Sequence, residues 1–200
     1  MKARFADALL FSVTLAELTL LIRQTPTFEL VDWIYISQHL LVLVIAFARR
    51  SPAICDHSLP TSAAVGVSYA YPYAIALWLG WYPGEEQWPA LGTVLVMIGA
   101  CLSLASLLSL GRSFGVRPAL RRLQVHGAYR FVRHPMYLSY VVSDIGYNFQ
   151  EWNAGTIVLV LVGWISLFYR INAEERVLAR DDGWAAYPAT VRYRLIPWLW

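Results

Sequence analysis

Long apolar runs, broken by short polar stretches, dominate the first 170 residues of this chain. A helix needs roughly 20 mostly apolar residues to cross a bilayer. The runs predict six membrane spans, at about 6–22, 30–48, 62–82, 89–110, 135–150 and 152–169. The fifth and sixth are short and separated only by the turn around Gln150-Glu151, so they read as a helical hairpin. Pro72 inside "SYAYPYAIALW" removes one backbone donor and predicts a kink in the third span. Trp81, Trp88, Trp152 and Trp198 fall near the ends of spans, where amphipathic rings are favoured.

Composition agrees with that reading. Hydrophobic residues make up 58% of the chain and charged residues 14%, against about 25% charged in soluble domains. Alternating the six spans leaves Arg23 alone on one side and the other 15 of the 16 Lys and Arg residues opposite. Cytoplasmic loops carry the excess of cations, so both termini are expected in the cytoplasm. The opposite loop, "WYPGEEQWP", holds Glu85 and Glu86 and no cation. This arrangement also accounts for the arginines without any nucleic acid. The first run lacks a small-residue cleavage site and is interrupted by Glu17, so it is expected to stay as a span. Cys55 lies in an expected cytoplasmic loop and Cys101 within a span, which argues against a disulfide between them.

Five ionisable residues lie in or at the edges of spans: Glu17, Glu29, Asp32, His39 and Asp144. Burying such groups in lipid is costly, so each needs a partner or a function. Glu29 and Asp32 are expected near the outer interface; the other three face either a ligand or a neighbouring helix.

From Leu110 the character changes. "LGRSFGVRPALRRLQVHGAYRFVRHP" is a 26-residue basic connection between two spans, and a loop so long is usually functional. A second polar segment, "RINAEERVLARDDGWAAYPATVRYRLIPWLW", ends the chain. Together they offer Tyr129, Arg133, His134 and Tyr137 from the loop, and Arg170, Glu174 and Glu175 from the tail. Cations beside carboxylates suit a ligand carrying both signs. Arg170 and Glu174, four apart on one helix, share a face. Pro135 suits the first turn of a helix, where its missing donor costs nothing. Arg130 and Arg133 stand either at the ligand or as anchors against anionic headgroups. The chain contains no Cys-rich or HExxH zinc spacing, no phosphate-binding loop and no nucleophile elbow, so no metal is expected.

"GAYRFVRHPMY", followed by "RINAEERVL" and "YPATVRYRLIPWLW", resembles the isoprenylcysteine carboxyl methyltransferase family, which is related to the membrane phospholipid N-methyltransferases. The resemblance covers roughly residues 90–200. It implies an all-α polytopic membrane fold with a cytoplasmic pocket for S-adenosylmethionine. In that reading residues 1–88 are N-terminal membrane helices, and 89–200 form a methyltransferase core within one structural unit.

Carried over by position, Tyr129, His134, Pro135, Met136 and Tyr137 match the family's cofactor motif, and Arg121, Arg122, Leu123 and Gln124 match a segment lining the same pocket. Glu174 matches a cofactor-contacting acid and Arg170 an arginine that meets the methyl acceptor, which makes these two the catalytic candidates. Glu175 stands either as a cofactor contact or as a salt-bridge residue. Arg117 with Pro118 matches another cofactor contact loosely. Ala128 replaces a proline frequent in bacterial members, and Trp184 replaces a tail tyrosine, leaving Tyr187 as the aligned aromatic. The implied acceptor is lipophilic: a prenylcysteine-type carboxylate, a lipid amine or a thiol. The implied location is the bacterial inner membrane, or the endoplasmic reticulum in a eukaryote. A membrane reductase using NADPH and a non-enzymatic membrane protein are the alternatives.

Overall fold

The computed structural model describes residues 11–19, 22–23 and 30–197. Lys2, Arg4, Glu29 and Trp198 lie outside them, as does much of the first expected span, of which residues 11–19 and 22–23 are helical. Six helices follow: α1 (Leu30–Ala48), α2 (Leu59–Trp81), α3 (Pro89–Leu110), α4 (Pro135–Gln150), α5 (Ala154–Leu178) and the short α6 (Ala186–Thr190). Their starts carry sequence signals. Proline opens α2, α3 and α4, while Asn153 caps α5 by accepting from the Gly155 amide at 2.8 Å. Helix α2 continues through Pro72.

Among the described residues, two helices are long and apolar enough to cross a membrane, Pro89–Ser113 and Ala154–Leu178. Only 33% and 39% of their most apolar stretches is buried in the protein, whereas the core helix of a soluble domain is mostly covered.

Helix α3 packs along α4, α2 along α5, and α1 against α3. Small residues permit the closest approach. A Cβ placed on Gly99 would come within 2.9 Å of the Ser139 carbonyl oxygen, and one on Gly146 within 2.8 Å of the Gly92 oxygen. Helices in lipid associate largely through such packing. Gly80, by contrast, has nothing within 4 Å of where a Cβ would stand. Ala is the better helix former by roughly 0.5–1 kcal/mol. Gly80→Ala is therefore expected to hold or raise the apparent melting temperature in detergent. Gly99→Ala is expected to lower it, because overpacking costs about 1–3 kcal/mol. Equal shifts for the two variants would overturn this account of the α3–α4 contact.

The ionisable groups within the bundle have protein partners. Asp144 is buried and accepts from Trp164 Nε1 at 2.8 Å and from the Tyr71 hydroxyl at 3.1 Å, joining α4 to α5 and α2. Glu17 accepts from the Tyr73 hydroxyl and faces His39 Nε2 at 3.6 Å, tying the first helical segment to α2 and α1. These residues bond helices together, which meets the expense of placing them there.

The polar segments gather at one end. A short antiparallel pairing, β1 (Ile54–Cys55) with β2 (Ala119–Leu120), joins the α1–α2 loop to the long basic connection. Arg112 Nε donates to Ala48 O at 2.5 Å and Arg121 Nε to Arg50 O at 3.0 Å. At the other end Glu85 and Trp152 exchange backbone hydrogen bonds of 3.0 and 2.8 Å. Trp81, Trp88 and Trp152 are exposed there.

Candidate active site

A tight turn and a helix start shape the end of the long connection. Gly127 has φ +61°, a conformation that favours glycine, and it starts a 3₁₀ turn over Gly127–Arg130 that turns Tyr129 inward. The Tyr187 hydroxyl donates to the Tyr129 carbonyl oxygen at 2.7 Å and fixes that turn. Burial pushes the Tyr129 hydroxyl well above its ordinary pKa, with the nearby Glu174 adding to the effect, so it stays protonated. His134 then caps α4 and a fully buried Pro135 opens it.

Six of the sequence-derived candidates meet at one cavity of about 420 Å³ of empty volume, part of it open to solvent. Tyr129, His134, Met136 and Tyr137 come from the motif, and Arg170 and Glu174 from the end of α5. The expected face-sharing of Arg170 and Glu174 puts both at the cavity. Packing on both flanks fixes the walls. Met136 and Phe114 belong to a core cluster with Ile45, Ala46 and Leu107, and Tyr137 to another with Val141, Leu167, Ile171 and Leu195.

Within the cavity, Tyr137 donates its hydroxyl to Glu174 Oε2 at 2.8 Å and stacks against the His134 ring at 5.6 Å between centroids. The Arg170 guanidinium lies over the Tyr137 ring at 5.3 Å. Arg170 is buried, and its NH2 donates to the Val116 carbonyl oxygen at 3.0 Å. Its Nε is buried with no partner. Among the described residues no carboxylate comes within 4.0 Å of this guanidinium, and Glu174 is engaged with Tyr137.

The other candidates stand elsewhere. Arg121 reaches the site only from behind, its guanidinium packed on Gly115, which itself lines the cavity. Arg122 is exposed, Leu123 lies near Gly183, and Gln124 donates to Ser113 Oγ at 3.0 Å. Arg117 bonds Ser62 Oγ at 2.9 Å, fastening the connection to α2. Arg133 is no exposed headgroup anchor: its side chain is 10% exposed and meets Glu175 at 2.9 Å. Arg130 lies over the exposed Phe131 ring. Glu175 belongs to an ion cluster beside the cavity and does not line it.

Sequence reasoning missed Tyr69, Phe114 and Tyr140, which complete the aromatic lining. Tyr69 and Tyr140 sit within apolar helices where nothing local separates a pocket tyrosine from a packing one. The repeated tyrosines of "SYAYPY" were the only signal.

Residues 91–180, which carry most of this site, match the model of the isoprenylcysteine carboxyl methyltransferase family. The chain is 27% identical over 111 residues to protein-S-isoprenylcysteine O-methyltransferase A of Arabidopsis thaliana, covering 51% of this chain and 56% of that one. It is 31% identical over 107 residues to a probable protein-S-isoprenylcysteine O-methyltransferase of Oryza sativa subsp. indica, covering 50% and 56%. The chain thus spans about half the length of the curated relatives it matches.

Proposed function

We propose that this chain is an integral membrane methyltransferase that uses S-adenosylmethionine and methylates a lipophilic acceptor, foremost a prenylcysteine-type carboxylate. The family match and the names of the plant relatives support the reaction class. The observation that carries the reading is the buried Arg170, with its free Nε, in the same aromatic cavity as Glu174.

The donor set fits the cofactor. Glu174 suits an ammonium, and the Tyr69, Tyr129, Tyr137 and Tyr140 rings suit an adenine or the face of a sulfonium. When bound, S-adenosylmethionine supplies an electrophilic methyl group, so the protein needs no nucleophile of its own. The residues instead bind, orient and exclude water, and such positioning can supply ~7–11 kcal/mol of the barrier. Arg170 holds the acceptor's carboxylate, which needs no base because it is already ionised. An amine or thiol acceptor would have to lose a proton, and Glu174 and His134 are the candidate bases among the described residues that line the cavity.

Calorimetry on the detergent-purified chain is expected to show S-adenosylmethionine binding and none for NADPH. Labelled methyl is expected to appear on an N-acetylated prenylcysteine. NADPH binding in place of S-adenosylmethionine would replace this reading with the reductase one. Binding of neither would leave a non-enzymatic membrane protein.

The reading also sets the orientation, with the cavity, the connection and the tail on the cytoplasmic side. Arg122→Cys, at an exposed position in a background lacking Cys55 and Cys101, is expected to react with an impermeant maleimide only after the membrane is opened. Labelling from outside intact cells would reverse the topology.

A further inference from the structure

The cluster around Glu175 lies just behind the cavity wall. Its Oε1 receives Arg133 Nε at 2.9 Å and His134 Nε2 at 3.2 Å, and its Oε2 receives Arg194 NH2 at 2.6 Å. Arg133 continues outward, NH1 donating to the carbonyl oxygens of Val191 and Arg192 at 3.0 Å each. The backbone follows the same path: the Arg133 amide donates to Tyr193 O and the His134 amide to Arg194 O, both at 2.9 Å. Leu195, 3% exposed, packs into the cluster that contains Tyr137. One carboxylate thus joins α5, the motif and the tail.

An ionised carboxylate can only accept, so the hydrogen shared with Oε1 belongs to His134 Nε2. In a neutral ring held this way, Nδ1 is an acceptor, and the partner of one imidazole nitrogen decides what the other can do. The His134 ring lines the cavity and stacks on Tyr137, whose hydroxyl meets Glu174. Contacts therefore run without a break from the tail to the cavity.

We propose that Glu175 is a positioning residue: through Arg133, Arg194 and His134 it fixes the His134 ring as the Nε2–H tautomer and fastens residues 191–195 to the cavity wall. Its effect on cofactor affinity rests on the proposed function; the tautomer and the fastening do not. Arg133 shares the task, because its planar fork meets the carboxylate and two carbonyls at once, which a lysine cannot reproduce.

The test uses Glu175→Gln, Arg133→Lys and the milder Arg194→Gln, with Arg176→Gln as the control for loss of an adjacent charge. Arg176 is exposed, lies over the Tyr169 ring and takes no part in the Glu175 cluster. Selective ¹⁵N-histidine spectra report the tautomer, hydrogen exchange reports residues 191–197, and calorimetry reports S-adenosylmethionine. Glu175→Gln is expected to change the His134 signal, to speed exchange in the tail, and to weaken cofactor binding by about tenfold or more, a loss of the size that follows removal of an orienting partner elsewhere. Arg133→Lys and Arg194→Gln should speed tail exchange, and Arg176→Gln should do none of these things. A weaker affinity with unchanged spectra and exchange would make Glu175 a direct ligand and overturn the proposal. A loosened tail and altered ring with cofactor affinity intact would confirm the positioning role and overturn only its effect on the cofactor. If the parent chain bound no S-adenosylmethionine, the proposed function would fall, while the spectra and exchange would still decide the role of Glu175.

Discussion

Arg170→Lys is expected to lower methyl transfer by at least about tenfold, ~1.4 kcal/mol of barrier, while S-adenosylmethionine affinity stays within about threefold. The expectation comes from what Arg170 lacks. A buried donor without a partner costs about 1–3 kcal/mol, more when charged, and such groups are rarely left so without reason. Glu174 is one helical turn away and could have paired with Arg170, but its Oε2 accepts from Tyr137 instead. The guanidinium is held by the Val116 carbonyl oxygen and the Tyr137 ring, with Nε unspent. An acceptor carboxylate would fill that vacancy and gain a fixed orientation. Lysine keeps the charge but loses both the planar fork and the Nε donor. Turnover and cofactor titration on one preparation decide it. Equal losses in both would assign Arg170 to the cofactor or the fold, and unchanged turnover would remove it from the site.

Much of the site was legible because it is local in sequence. Gly127, Tyr129, His134, Pro135 and Tyr137 sit within eleven residues, and helix periodicity alone put Arg170 and Glu174 on one face. The split between Glu174 and Glu175 was not legible. Adjacent residues on a helix point about 100° apart, so one faces the cavity and the other the tail, and their distant partners, Tyr137 and Arg194, show which is which. The segment Arg121–Gln124 shows the converse: positional matching put all four at the pocket, but the β1–β2 pairing draws Arg121 toward Arg50 and the α1–α2 loop. Contacts between distant segments decided both cases. Helices α1 to α5 were legible from length and hydropathy, but Asp144 and Glu17 each take a tyrosine partner from a helix more than 50 residues away.

Glu174→Gln is expected to weaken S-adenosylmethionine binding by about 10- to 150-fold, the loss of one charge-assisted bond worth roughly 1.5–3 kcal/mol. The carboxylate lines the cavity, and among the described residues its one side-chain donor is the Tyr137 hydroxyl. A carboxylate has about four acceptor positions, so one tyrosine leaves capacity for a ligand ammonium or hydroxyls. Tyr137→Phe separates two roles for this acid. If Glu174 served only to hold Tyr137, removing the hydroxyl would cost as much as removing the charge. If Glu174 meets the cofactor directly, Tyr137→Phe should cost clearly less than Glu174→Gln, because the carboxylate and its own bond to the cofactor remain. His134→Ala should fall with the larger class, since it removes a wall of the cavity and a partner of Glu175 together. Calorimetry on the three variants, each checked for an intact melting transition, gives the order. Parent-like binding by both Glu174→Gln and His134→Ala would move the cofactor out of this cavity.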